Sequence, residues 1–337
     1  MLKIILLSIL LISFAKCILP AAQVVSNDTT LWPSQLYKTE DFSAPRVAIS
    51  KLGTTSPGFF FVTLFGPETN STTVLIMTEQ GQLVWRPEAR FVGTNFAVQQ
   101  FHGTIVLTYW NGTIDGAIGA GYGSIYILDS GYNTIYTICG ADLDVNPLPG
   151  LNLTTDCKLD FHEVKISAKG TLLAMARSVL SGVDLAQFGG PVDGYVLDSL
   201  FYELDITTGE VLFRWSAYEH RASLPPTLSH YPINAQLAAA GGTSPADPWD
   251  YFHMNSIDDI GDNFLISSRF YCSAIKLNRQ GDVEWVLNVS SRSSSTQPAS
   301  LLHIYSSQGR RRRQFHPSRQ RELPVPASHS RCAGVRH

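Results

Sequence analysis

"LFYELDITTGEVLFRW", residues 200–215, decides how this chain is read. A strand-forming run from Leu200 ends in alternation at Glu203, Leu204 and Asp205. A polar turn with Gly209 follows, and a second apolar run ends at Trp215. Two such runs around a glycine-bearing turn predict a β-hairpin with a buried face. The unit recurs as "TVLIMTEQGQLVW" (73–85), "SIYILDSGYNTIY" (124–136) and "SAIKLNRQGDVEWVL" (273–287). Each copy follows another strand pair, as in "GFFFVTLFG", "GTIVLTYW" and "HEVKISAKGTLLAMA". Four strands per unit, repeated at irregular intervals of about 50–80 residues, predict an all-β fold of the β-propeller kind. Trp85, Trp215 and Trp285 are then expected between sheets. A β-sandwich is the alternative, and it accounts less well for the repeated turn-then-Trp unit. No βαβ alternation, phosphate loop or G-x-S-x-G elbow is present.

The composition fits a turn-rich β-protein. Charged residues are 16% of the 337, and the chain has 26 glycines and 18 prolines. The net charge of -3 singles out no partner, but it hides an asymmetry. Nine of the 25 basic residues, all arginine, and one of the 28 acidic residues lie after residue 290. The first 290 residues therefore hold 16 basic and 27 acidic groups, a mildly acidic body. Residues 291–337 have one short apolar run and then nothing that builds a core. They read as a disordered or aberrant tail rather than a nucleic-acid or membrane arm. His303 and His316 fall in this stretch, without a strand context.

The start, "MLKIILLSILLISFAKC", has one lysine and an apolar run too short for a comfortable membrane span. It reads as a signal peptide, residues 1–17, with small residues Ala15 and Cys17 placed for cleavage. Five glycosylation sequons, at Asn27, Asn70, Asn111, Asn152 and Asn288, add to the case for export through the secretory pathway. Cys139 and Cys157 flank a Pro/Gly/Asn-rich loop that a disulfide would staple in an oxidising compartment. Cys272 reads as a buried thiol, and no cysteine has zinc spacing. No cofactor or metal is expected.

The chemistry concentrates in "DPWDYFHMNSIDDIGDNFLISSRF", 247–270. On a strand His253 and Asn255 would point to one face, and Arg269 would end the partner strand. His162, in "DFHEVKISAKGTLLA", holds the equivalent place one unit earlier. An imidazole, a carboxamide and a guanidinium fork can all donate to oxygens that gain negative charge, so the set suits transfer of an anionic group. It lacks the carboxylate pair of a glycosidase and a hydroxyl or thiol nucleophile beside a base.

These strings, together with "LYKTEDFSAPRV" and "DSLFYELDITTGEVLFRWSAYEH", resemble the fungal branch of the arylsulfotransferase family. The resemblance runs from about residue 35 to 288 and is densest over 160–287. It implies a six-bladed propeller, of which this chain would hold about four to five blades in residues 23–290. It implies transfer of a sulfuryl group from a phenolic sulfate donor to a phenol acceptor, independent of 3'-phosphoadenylylsulfate and through a sulfated histidine. Matched residue by residue, His253, Asn255 and Arg269 would stabilise the sulfuryl oxygens, and His162 would assist proton transfer at the phenol oxygen. The family's nucleophilic histidine lies in a later F-S-x-Q-H-D stretch. The chain leaves the family pattern at about residue 288, and neither His303 nor His316 has those flanks. Loss of activity is therefore expected. The other readings are a non-catalytic secreted propeller that binds an aromatic or sulfated ligand, and a structural scaffold should the two histidines prove far apart. No nucleic-acid partner is expected, nor a stable membrane span once the leader is cleaved.

Overall fold

The computed structural model describes residues 49–64, 74–87, 91–235 and 238–289, and the backbone of three further strands at 34–35, 44–45 and 302–306. Among the described residues there is no α-helix, only two three-residue 3-10 turns, Ala186–Phe188 and Pro226–Leu228. No helix there is long and apolar enough to cross a membrane. The leader 1–17, Asn27 and Asn70 lie outside the described residues, as does the tail 291–337 apart from 302–306.

The chain divides into two units at Arg90–Phe91. In the first, β1 (Ser34–Gln35) pairs with β2 (Ala44–Pro45), and β3 (Phe59–Thr63), β4 (Val74–Thr78) and β5 (Leu83–Trp85) form an antiparallel sheet. The second unit has three antiparallel sheets, each a meander of strands in chain order. They are β6 (Gly93–Phe101) to β9 (Thr134–Ile138) through β7 (Thr104–Asp115) and β8 (Ala120–Leu128); then β10 (Val164–Ile166), β11 (Thr171–Val183), β12 (Gly194–Asp205) and β13 (Val211–Ser216). The third is β14 (Met254–Ile260), β15 (Asn263–Ser268), β16 (Ser273–Leu277), β17 (Val283–Val289) and β18 (Leu302–Ser306). So 302–306, expected to lack strand context, pairs antiparallel with β17, His303 opposite Asn288. An apolar run that reads as too short to build a core is still long enough to extend a bare sheet edge.

The four repeated hairpins share one turn. The residue after each first strand's last apolar position is Thr78, Asp129, Asp205 or Asn278. Its side-chain oxygen accepts backbone N–H bonds from residues two to four further on. Such Asx and ST turns satisfy amides that the ladder leaves unpaired. Each hairpin also slips register at the same place, between Ile76 and Met77, Ile127 and Leu128, Glu203 and Leu204, and Lys276 and Leu277. A positive φ follows at Gly81, Tyr132, Gly209 and Gly281. Sequence, cap, bulge and left-handed residue therefore recur together.

The sheet β10–β13 is buried on both faces, and the strand period decides which residue goes where. On β11, Leu172, Ala174 and Ala176 join a core with Trp110, Ile125 and Leu159. Leu173 and Met175 join a second core with Trp215, Phe264 and Ile275. Burial on both faces explains why "TLLAMA" is continuously apolar rather than alternating. Trp215 is fully buried, and its Nε1 donates to the Gly281 carbonyl at 3.0 Å in the turn of the next sheet. Trp85 and Trp285, expected to behave alike, are only partly buried. Trp110 takes the corresponding role one sheet earlier, donating to the Leu159 carbonyl at 2.8 Å. Cys139 and Cys157 form the expected disulfide. Cys272 corrects its reading as a buried thiol: it is half-buried.

Candidate active site

Two short segments, each leading into the first strand of a sheet, carry the site. The first is Leu159–His162. Gly123 and Leu159 exchange backbone bonds, at 2.9 and 3.2 Å, which fasten the segment to the preceding sheet. The Gly121 amide donates to Asp160 Oδ2 at 2.9 Å, and the Thr94 hydroxyl donates to the Phe161 carbonyl at 3.1 Å. Asp160 is fully buried. Its Oδ1 accepts the His162 amide at 3.0 Å and lies 2.6 Å from His162 Nδ1.

The second segment repeats the device. Leu197 and Trp249 fasten it to β12 through amide-to-carbonyl bonds at 3.1 and 2.8 Å. Asp250 Oδ1 accepts the His253 amide at 3.1 Å, and Oδ2 lies 2.5 Å from His253 Nδ1. Each histidine thus has a buried aspartate on Nδ1, two residues back in one case and three in the other. The two imidazoles meet edge to face, with centroids 5.1 Å apart and planes at 90°.

The charges follow from this packing. Burial pushes Asp160 up, but the His162 contact, Arg177 and the Gly121 amide outweigh it and bring the group down to about 2. Asp250 is likewise raised by burial and brought below its ordinary value by His253 and Arg177. Burial pushes His253 down to about 4, with Asp250 opposing and Arg177 adding to the fall. His253 is therefore neutral at pH 7. An ionised Asp250 can only accept, so the proton sits on Nδ1 and Nε2 offers a lone pair. That Nε2 is buried, and it has no hydrogen-bond partner among the described residues. Gly119 closes over it. A Cβ there would lie 3.1 Å from His253 Cε1, and the φ of +75° suits glycine in any case.

His253 and Asn255 do not share a strand face. His253 precedes β14 with φ +50°, and the register slips between Met254 and Ser256. His253 is buried while Asn255 is exposed. A left-handed residue and a bulge both break the two-residue period on which the expectation rested. The Arg269 amide donates to the His253 carbonyl at 2.9 Å, and its exposed guanidinium lies 5.4 Å from the Phe270 ring centroid. Among the described residues, neither the Asn255 side chain nor that guanidinium makes a hydrogen bond or ion pair, so both can serve a ligand. No group of three or more His, Cys, Asp or Glu side chains there is arranged to hold a metal. Asp160, Asp250 and Arg177 were missed in the sequence. Their signals are a carboxylate two or three residues before each histidine, and one arginine inside the apolar run "TLLAMARSVL".

On an all-β scaffold, two buried aspartates hold two imidazoles in contact. The particular family is then plain: the arylsulfotransferase (ASST) family model matches residues 97–298, and the chain belongs to that family. Membership brings an arylsulfotransferase-like function and phenolic substrates. No curated protein matches the chain.

Proposed function

We propose that the protein is a secreted arylsulfotransferase-like protein of the fungal branch, and that the three sheets of its second unit are successive blades of a six-bladed propeller. Its site takes a phenolic sulfate as donor and a phenol as acceptor, without 3'-phosphoadenylylsulfate, and the family's route calls for a histidine to accept the sulfuryl group. The observation that carries this reading is the edge-to-face contact of His162 and His253, each held by a buried aspartate. Two oriented imidazoles can divide the proton traffic at the phenol oxygen between them. Arg269 and Asn255 serve the equatorial sulfuryl oxygens, with the guanidinium matching them by charge and by its fork. His253 joins in charge stabilisation only once Nε2 takes a proton, and an incoming anion favours that step.

A sulfuryl acceptor histidine with the family's flanks is not found at His162, His253, His303 or His316. Loss of a nucleophile commonly costs several orders of magnitude in rate, while positioning alone preserves a residue of it. The expected result for this 337-residue chain is therefore binding with no more than trace transfer. The test is transfer from 4-nitrophenyl sulfate to a phenol by the purified chain, followed by a search for a sulfated histidine. Robust turnover through a sulfated histidine of this chain would overturn the expectation of impairment. Failure to bind either the sulfate or the phenol would sink the functional reading. The same lack of a flanked nucleophile favours a second reading, a propeller that binds an aromatic sulfate without turnover.

A further inference from the structure

Arg177, so far named only for its charge, is 1% exposed and lies between the two histidine segments. It stands on β11 at the parity of Leu173 and Met175, so it faces the sheet that begins with β14. Its neighbour across the ladder is Ser199 on β12. Nη1 donates to Ser199 Oγ at 2.6 Å, and Nη2 donates to the Met254 carbonyl at 2.8 Å. Ser199 Oγ in turn accepts the Met254 amide at 3.1 Å. Both backbone groups of the residue after His253 are thereby held. The same Nη1 lies 3.7 Å from Asp250 Oδ1, on the carboxylate that carries His253. The Arg177 carbonyl accepts the Tyr122 hydroxyl at 3.2 Å, which ties this point to the sheet that holds Asp160.

We propose that Arg177 is a positioning residue, which fixes the tautomer and ring orientation of His253 by gripping Met254 and Asp250 together. Its catalytic meaning rests on the function proposed above; its physical content does not. A lone buried guanidinium is costly, and an apolar side chain could fill the space as well for stability alone. What an apolar residue cannot supply is positive charge beside two buried carboxylates. The groups around His253 are Asp250 on its own segment, His162 and Asp160 on the preceding one, Arg177 on β11 and Arg269 at the end of β15. Arg177 favours ionised Asp160 and Asp250 and disfavours a proton on His253. The result is a bare Nε2 and a proton kept on Nδ1. A lysine would keep the charge and lose the fork that spans Ser199 and Met254.

The test is a pH titration of the histidine and arginine side-chain nitrogens by ¹⁵N NMR on the full chain. In the wild type, His253 should show the Nδ1–H tautomer, and the Arg177 guanidinium signals should shift with the same midpoint as His253. In Arg177→Met the proton affinity of His253 should rise at least tenfold, because a positive neighbour is lost while Asp250 stays. Arg177→Lys keeps the positive charge and should hold the affinity nearer the wild-type value. An unchanged His253 midpoint in Arg177→Met would overturn the proposal. If that variant does not fold, the wild type decides alone: guanidinium signals that stay flat through the His253 titration overturn it equally. Sulfuryl transfer is not among the readouts. A chain that binds no aryl sulfate yet shows the linked titration supports this inference while failing the functional one.

Discussion

His253 is the residue on which the site turns, and its burial makes a prediction about acid. Its value in the folded chain, about 4, lies below the ordinary 6.5. Between those two pH values the unfolded chain binds a proton that the folded chain refuses. Stability from this group is therefore full above about pH 6.5, falls as pH drops through the window, and is level again below about 4. His253→Gln has no such group. The stability advantage of the wild type over that variant should shrink by on the order of 3 kcal/mol across the window. Urea unfolding of both proteins over a pH series measures it. A difference that does not vary with pH would mean that His253 is not buried in its neutral form.

At the scale of elements, the loop between β9 and β10 is the segment most dependent on a covalent link. It runs through Pro147, Pro149 and Gly150 without regular structure, yet it must deliver Asp160 and His162 to one place. The Cys139–Cys157 bond closes it across 18 residues, and the Ser124 hydroxyl contacts Cys157 Sγ at 3.0 Å. Closing a loop of this size removes conformations from the unfolded chain worth about 3 kcal/mol. The double variant Cys139→Ser/Cys157→Ser should lose about that much in a denaturant titration under oxidising conditions. It should also weaken aryl sulfate binding, since the Asp160 segment begins just beyond Cys157. Unaltered stability would show that the loop is held by Leu143, Val145 and Leu148 in the core instead.

For the whole molecule, export through the secretory pathway is the expectation, and the fold ranks the sequons. Asn152 is exposed in an irregular loop. Asn111 lies within β7, and Asn288 lies within β17 with its Oδ1 buried. An enzyme that adds glycans needs an accessible, irregular backbone, which only the first of these offers. After expression in a eukaryotic host, glycopeptide mass spectrometry should find Asn152 occupied to a greater extent than Asn111 or Asn288. A chain retained in the cell and carrying no glycan would remove the case for export.

The sequence by itself determined the all-β class, the four hairpins with their glycine-bearing turns and the Cys139–Cys157 pair, and it singled out two histidines that the fold brings into contact. All of these are local signals: a period, a turn residue, a spacing, or one residue type at a repeated place. It also carried the family, through strings such as "DFHEVKISAKGTLLA" that survive as motifs. Only the tertiary structure decided that His253 and Asn255 part company, because a positive φ and a one-residue slip undo an alternation that the letters imply. Only it decided that Asp160 and Asp250 hold the imidazoles and that Arg177 lies between them, since Arg177 and Met254 are 77 residues apart in the chain. A single arginine in an apolar strand reads as a fault in a core. It becomes intelligible when its own sheet supplies a hydroxyl and the entry to the next sheet supplies a carboxylate and a carbonyl, because a buried charge is tolerable only where partners converge on it.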